Sequence, residues 1–286
     1  MAMAARVHRR WSRPSLTRPH DQHGGSFSMG SSVVISGERL PFEPQGRDFP
    51  FARGAPDAIS TRGWLLVMAG VTTGFVALVV PLPLADNVLT GWLRVLLFVG
   101  LPLLALRIAS PSGWTAIFGK VGLREVKLMV AFALLNMVVT LAVGVAVNVF
   151  GTATAHAAVA GAGQLGGAQL AGFFAKVGVQ LLGEELITIL PFLAIVVLCG
   201  KLTGIGRHAA VVVAWLVSAV AFGLIHLPTY DWNIVQCVVV IGSARLILTW
   251  AYVWTKNIWV STGAHVLNDW TIIATTTLLA PLATAA

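Results

Sequence analysis

The sequence has too little charge for an ordinary soluble domain. Only 10% of its 286 residues are Asp, Glu, Lys or Arg, whereas 57% are hydrophobic and the mean hydropathy is +0.83. Soluble domains usually carry about 25% charged residues. This balance excludes an ordinary soluble enzyme or binding module, and it predicts a protein whose main partner is the lipid bilayer.

Cysteine and two familiar hydrolase motifs are also scarce or missing. The two cysteines, Cys199 and Cys237, lie in apolar segments, where a thiol most often acts as a small hydrophobic group. The sequence lacks H-E-x-x-H, which would hold zinc on one helical face, and G-x-S-x-G, which would supply a nucleophilic serine. The groups that remain for chemistry are carboxylates and histidines.

Residues 1–62 lack a sustained apolar pattern and are rich in Arg, Ser, Pro and Gly. Such a composition predicts a disordered tail, because it cannot bury enough apolar surface to fold. Nine of the 19 basic residues lie before residue 63, and this position favours an anionic membrane surface over nucleic acid. We therefore expect no nucleic-acid partner, and we divide the rest into N-terminal membrane helices, 63–150, and a C-terminal helix bundle, 151–286.

Seven apolar segments follow the tail, each close to the roughly 20 residues that span hydrocarbon. They predict an all-α, polytopic transmembrane bundle with helices at 64–85, 89–108, 127–150, 172–200, 208–227, 232–254 and 258–279. The fourth segment contains Pro191, which removes a backbone donor and can break a helix. A break at that residue would give an eighth span.

Basic residues between the helices predict the orientation of the chain. Lys or Arg flank the second, fourth and sixth connections, whereas the first, third and fifth contain neither. By the positive-inside rule the tail and the even connections face the cytoplasm. We therefore expect a multi-pass protein of a bacterial cell membrane with a cytoplasmic N-terminus.

Three carboxylates and two histidines lie well inside the later apolar segments: Glu184, Glu185, Asp269, His226 and His265. An acidic residue at mid-membrane costs about 2.5–3.5 kcal/mol on insertion scales. Isolated burial of each group would be costlier than mutual pairing. We therefore predict that Glu184, His226 and His265 share one polar cavity.

Helical spacing shows how these side chains can be arranged. Phe222 lies four residues before His226, and His265 lies four before Asp269, so each pair shares a helical face. Asn268 borders the second pair. The two adjacent glutamates point about 100° apart, so one can face a cavity while the other meets a neighbouring helix.

In this order the motifs resemble those of the CAAX prenyl protease family, also called the Abi or CPBP intramembrane proteases. The E-E of that family corresponds to Glu184 and Glu185, its F-x-x-x-H to Phe222 and His226, and its H-x-x-x-N/D to His265 and Asp269. The resemblance covers residues 184–269 and implies a catalytic bundle in the C-terminal half.

The resemblance implies an intramembrane endopeptidase that acts on a peptide or protein, with or without a lipid. Glu184 is then the general base for water, with Glu185 beside it and His226 assisting. His265 with Asp269 or Asn268 stabilises the oxyanion. This mechanism requires no cofactor, although Glu184, His226 and His265 could instead hold zinc.

One position departs from the family pattern, because Ile189 stands where the motif E-E-x-x-x-R has arginine. Arg245 lies in the middle of the sixth segment, where a lone cation needs a partner. We predict that Arg245 reaches Glu185, or less favourably Asp269, as a substitute. The alternatives are snorkelling of Arg245 to the interface, bonds to helix carbonyls, and Lys176 as a rival cation.

Two functions from different classes stay open. One is the endopeptidase. The other is a non-hydrolytic scaffold, immunity or regulatory protein of the same fold, which the loss of the motif arginine would favour. A transporter that uses the carboxylates for protons is a third interpretation.

Overall fold

The computed structural model describes residues 39–40, 43, 48–51, 57–81, 83–85, 87–150, 162, 165–202 and 205–283. Within these ranges the chain forms seven α-helices and no strand: α1 Thr61–Val79, α2 Val88–Ala109, α3 Leu123–Phe150, α4 Gly167–Leu202, α5 Arg207–Ile225, α6 Gly242–Thr255 and α7 Ile258–Ala283. A π-helical turn, Gln236–Ile241, runs directly into α6. The predicted all-α bundle is confirmed.

Six helical stretches of the described chain are long and apolar enough to cross a membrane: Thr61–Val79, Val88–Ala109, Leu123–Asn148, Gly167–Gly200, Arg207–Ile225 and Gln236–Thr255. Helix α7 occupies the seventh predicted segment, but it contains His265, Asn268 and Asp269 and is not among the six. A count of seven spans thus stays a prediction. Helix α4 continues unbroken through Pro191, so the chain does not form an eighth span there.

Helix α4 lies at the centre of the bundle. Its span is 67% buried inside the protein, whereas the spans of α1 and α3 are 22% and 17% buried. It packs against α1, α2, α5 and α7. Because α4 is enclosed by other helices, its two glutamates are carried into protein instead of lipid.

Two glycines allow the close helix approaches that position the site. A side chain on Gly183, directly before Glu184, would overlap the ring of Phe98 in α2. A side chain on Gly223 in α5 would overlap the backbone carbonyl of Cys237, at the π-helical turn. Since protein interiors are close-packed, any other residue at these positions would push the helices apart.

The described part of the N-terminal segment packs against one end of the bundle. Leu40, Phe49 and Phe51 are buried in the main apolar core, and the side chain of Glu43 is also fully buried. This packing departs from the expected disorder of residues 1–62, because a few apolar side chains spaced along a polar stretch are enough to anchor it. Residues 1–38 lie outside the described ranges.

Contacts at this end bring the even connections together. Glu43 bonds to Arg207, at the start of α5, and to Lys256, directly after α6. Asn257 Oδ1 accepts a hydrogen bond of 2.8 Å from the backbone N–H of Gly119, between α2 and α3. The second, fourth and sixth connections therefore share one end of the bundle, which is the grouping that the predicted orientation requires.

Candidate active site

Glu185 lies where α4, α6 and α7 meet, and its side chain is fully buried. Its Oε1 accepts a hydrogen bond of 2.7 Å from Nη2 of Arg245 and lies 2.9 Å from Nδ1 of His265. The predicted Arg245–Glu185 pair is therefore present. Arg245 has no exposed surface, so it does not snorkel to the membrane interface.

Phe222 packs against the side chains of this cluster. Its ring lies under the guanidinium of Arg245, with 4.9 Å between Cζ and the ring centroid. The same ring is 4.6 Å from that of His226 and 6.5 Å from that of His265, measured between centroids. Phe222 therefore supports three site residues through packing and a cation–π contact.

Glu184 is held differently from its neighbour. Its Oε1 accepts a hydrogen bond of 3.1 Å from Nε2 of Gln180, and its Oε2 lies 3.9 Å from Nε2 of His265. Its side chain is 14% exposed, compared with 0% for Glu185. Adjacent residues on one helix thus provide one carboxylate fixed by an arginine and one that faces a cavity.

His265 lies between these two carboxylates. Because the arginine-paired Glu185 carboxylate accepts hydrogen bonds and cannot donate them, Nδ1 of His265 carries a proton. The other ring nitrogen, Nε2, lies 3.9 Å from Oε2 of Glu184 and 3.7 Å from Oδ2 of Asp269. The ring is therefore fixed at one nitrogen and presents the other to Glu184 and Asp269.

Asp269 accepts hydrogen bonds within the site. Asn268 Nδ2 donates to its Oδ1 at 2.9 Å, and its Oδ2 faces His265. The family motif allows asparagine or aspartate at this position, and an asparagine could donate to the oxyanion. Here the carboxylate is arranged to orient two neighbouring donors.

His226 caps the C-terminus of α5. Its Nδ1 lies 2.7 Å from the carbonyl oxygen of Phe222, and since a carbonyl accepts hydrogen bonds, Nδ1 carries the proton. This tautomer leaves Nε2 as an acceptor. His226 lines the same cavity as Glu184 and His265, so the predicted gathering of these three residues is present.

The cavity encloses about 360 Å³ and is lined by side chains from α3, α4, α6, α7 and the end of α5. Lys176, which sequence analysis named as a rival cation, lines this cavity, but other polar lining residues were missed. On α4, Gln180 lies four residues after Lys176 and four before Glu184, a pattern that could have identified it. On α3, Asn136 and Thr140 have the same spacing.

The described residues do not form a preassembled zinc site. In the described parts of the chain, no three His, Cys, Asp or Glu side chains come close enough together to hold a metal ion. His226 and His265 each direct Nδ1 to a protein acceptor, which leaves Nε2 of each ring for other partners. Zinc held by Glu184, His226 and His265 stays a prediction.

Comparison with known families agrees with this geometry. Residues 166–271 match the family model described as type II CAAX prenyl endopeptidase Rce1-like. This segment is similar to the CAAX protease family. It contains the whole Glu184–Glu185–His226–His265 constellation and Arg245, whereas α1 to α3 lie outside the match.

No curated protein and no solved structure matches the chain. With its six apolar helices, the chain is a multi-pass membrane protein, and residues 166–271 are similar to a family of membrane peptidases.

Proposed function

We propose that the chain is an intramembrane endopeptidase in which Glu184 activates a water molecule against a peptide bond in the cavity. The observation that carries this proposal is the unequal treatment of two adjacent carboxylates. Glu185 is fixed by Arg245 and His265, whereas Glu184 faces the cavity and is held by the neutral amide of Gln180. A general base must be accessible to its proton, and Glu184 meets that requirement.

The residues of the site supply the other parts of amide hydrolysis. Glu184 takes a proton from water while the water oxygen attacks the carbonyl carbon, and His226 Nε2 accepts from the second water hydrogen. A doubly protonated His265 and the amide of Asn268 donate to the oxyanion. Glu184 then returns its proton to the leaving nitrogen as the C–N bond breaks.

The missing motif arginine does not count against catalysis in this arrangement. Ile189 is fully buried in the apolar core and does not line the cavity. Arg245 supplies the guanidinium to Glu185 from α6 instead. The ion pair of the motif is thus retained with a different donor, which favours a peptidase over a non-hydrolytic scaffold of the same fold.

The family description supports a prenylated CAAX-type peptide as the substrate. We also propose that the end of the bundle that carries Arg207 and Lys256 faces the cytoplasm, because the basic connections gather there. A substrate made in the cytoplasm would then enter the cavity from the end that carries Arg207 and Lys256, or from the surrounding lipid.

The variant Glu184→Gln tests this function, because it keeps the shape of the side chain and removes the base. Cleavage of a farnesylated CAAX peptide by the full chain in liposomes should fall about 100- to 10,000-fold, with an unchanged unfolding temperature. Glu125→Gln is the matched control, since Glu125 lies in the first turn of α3 and bonds to Gly122. Undiminished turnover in Glu184→Gln would overturn the mechanism. A wild-type chain that binds the peptide without cleaving it would instead support the scaffold.

A further inference from the structure

Helix α3 brings two polar side chains to the cavity that the proposed chemistry does not use. Asn136 is 1% exposed, yet neither Nδ2 nor Oδ1 has a hydrogen-bond partner. The Oγ1 of Thr140, one turn further along, is also buried without a partner. Both residues line the cavity. Buried polar groups are nearly always hydrogen-bonded, so these groups indicate that a polar partner occupies this part of the cavity.

In the described helices, the hydroxyls of Thr140 and Thr249 are buried without a partner, and of these two residues Thr140 lines the cavity. Thr73, Thr188 and Thr255 donate their hydroxyls to the carbonyl four residues earlier. That local bond is the usual solution for a threonine inside a helix. Thr140 does not make it, so its hydroxyl is available to a group in the cavity.

Packing places Asn136 at the depth of the site. Ala133 on α3 and Ala264 on α7 belong to one apolar cluster. Both helices begin at the end of the bundle where Asn257 contacts Gly119. One turn further from that end lie Asn136 on α3 and Asn268 on α7, and Oδ1 of Asn268 also lacks a partner. The amide of Asn136 and Oδ1 of Asn268 therefore lack partners on two helices that line the same cavity.

Resting on the proposed function, we propose that Asn136 and Thr140 bind the main chain of the peptide substrate in an extended conformation. In an extended chain the N–H and C=O of one residue point to the same side, as in an antiparallel ladder. The amide of Asn136 offers one acceptor and one donor to that pair of groups. The hydroxyl of Thr140 bonds to the substrate residue two positions along.

The spacing of the two side chains matches such a peptide. Four residues of α-helix rise about 6 Å. Two residues of an extended chain rise about 6.6 Å. Peptide groups inside a membrane also need partners, because the hydrocarbon offers none. Helix α3 therefore holds the substrate across the cavity from Glu184, and it does so from outside the segment that matches the family.

Binding of an uncleaved probe tests this assignment. The full chain with Glu184→Gln is titrated with a fluorescent, farnesylated CAAX peptide, alone and in combination with Asn136→Leu, Thr140→Val or Asn148→Leu. Asn148 is exposed on the same helix, so its substitution is the matched control. We expect about tenfold weaker binding with Asn136→Leu and about threefold with Thr140→Val. The control should bind within about twofold of the parent.

A second arm separates direct contact from a structural effect. Single N-methylation along the probe backbone should weaken binding about tenfold at one position when Asn136 is present. The same methylation should have no further effect in Asn136→Leu, because the contact is already lost. Equal penalties with and without Asn136, unchanged binding in Asn136→Leu, or no binding of the probe at all would each overturn the assignment.

The test also distinguishes this proposal from the proposed function. Loss of cleavage in Glu184→Gln together with unchanged binding in Asn136→Leu overturns the peptide-binding role alone. Cleavage that survives in Glu184→Gln overturns the catalytic role of Glu184. Weakened binding in Asn136→Leu would still support the contact in that case.

Discussion

Among the described residues, two buried carboxylates each have two cationic or imidazole partners. At the site, Glu185 uses Oε1 for both Arg245 and His265, while its Oε2 and two nitrogens of Arg245, Nε and Nη1, lack partners. In the second cluster, which we call the Glu43 clasp (Glu43, Asp48, Arg207 and Lys256), both oxygens of Glu43 are bonded, at 2.6 Å, to Arg207 and Lys256.

Buried charge therefore does not by itself mark a functional site. In both clusters a phenylalanine ring packs against the cations. The centroid of the Phe49 ring is 5.3 Å from Arg207 Cζ and 4.0 Å from Lys256 Nζ, and the Phe222 ring packs in the same way against Arg245. The two clusters differ in whether every buried hydrogen-bonding group has a partner. The Glu43 clasp satisfies its carboxylate and joins two helix ends, whereas the Glu185 cluster retains unsatisfied groups beside a cavity and a second carboxylate.

The largest effect should come from breaking the Glu185 cluster. Arg245→Leu should lower turnover about 100-fold, because an unpaired Glu185 no longer fixes His265. Glu185→Leu should cost about as much, and the double variant should be little worse than either single one, since partners in one ion pair are not additive. Steady-state cleavage of the farnesylated peptide by the three proteins measures this. Multiplying losses in the double variant would show that the two residues act independently.

Breaking the Glu43 clasp should lower stability and leave the chemistry intact. Glu43→Gln leaves Arg207 and Lys256 buried against each other, which should cost about 3–5 kcal/mol in the free energy of unfolding. The kcat of the folded protein should stay within about threefold of wild type. The matched control is Asp48→Asn, because Asp48 also bonds to Arg207 but its side chain is 51% exposed. This variant should lose less than about 1 kcal/mol. An Asp48→Asn protein as unstable as Glu43→Gln would contradict the comparison.

Restoring the motif arginine should not repair the site. Ile189 faces the apolar core, so Ile189→Arg would bury a cation without a partner and destabilise the bundle. In the Arg245→Leu background it should leave turnover at the level of that variant. Recovery above about a tenth of wild-type turnover would show that position 189 can reach Glu185, since a tenfold change corresponds to about 1.4 kcal/mol.

Acid should weaken the Glu43 clasp over a defined range of pH. Burial alone would raise the pKa of Glu43, but hydrogen bonds from Arg207 and Lys256 and the charges of these residues lower it to about 2. A carboxylate with a lowered folded-state pKa stabilises the fold above its ordinary value of 4.5, and this contribution is lost as the pH falls towards 2. The unfolding temperature of the wild type should therefore fall more steeply across this range than that of Glu43→Gln. Parallel curves would show that Glu43 does not carry the difference.

The Glu185 cluster could be predicted from sequence because a charged side chain inside an apolar helix costs free energy unless it has a partner. An arginine and a glutamate inside apolar helices each need a partner, and that argument identified the Arg245–Glu185 pair without coordinates. Glu43 gave no such signal, since a carboxylate in a polar stretch is ordinarily solvated. Its partners are 164 and 213 residues away, and the fold alone brings them together.

Local geometry also limited the sequence prediction. The sixth helix was predicted to start at residue 232, but Asp231 and Trp232 adopt left-handed conformations, with φ of 51° and 59°. The chain then forms the π-helical turn before α6, and apolar periodicity does not distinguish such a turn from an α-helix. Asn136 was missed for a different reason. A single amide in an apolar helix is inexpensive when it has a partner, and sequence does not reveal that the partner is absent.

The most direct test of the account measures turnover and stability together in Glu184→Gln and Glu43→Gln. Both variants replace one carboxylate by an amide of the same shape. Cleavage of the farnesylated peptide and the unfolding temperature are recorded on the same preparations. The account predicts that Glu184→Gln loses cleavage at an unchanged unfolding temperature, while Glu43→Gln unfolds at a lower temperature and cleaves normally below it. Cleavage that survives in Glu184→Gln but disappears in folded Glu43→Gln would contradict it.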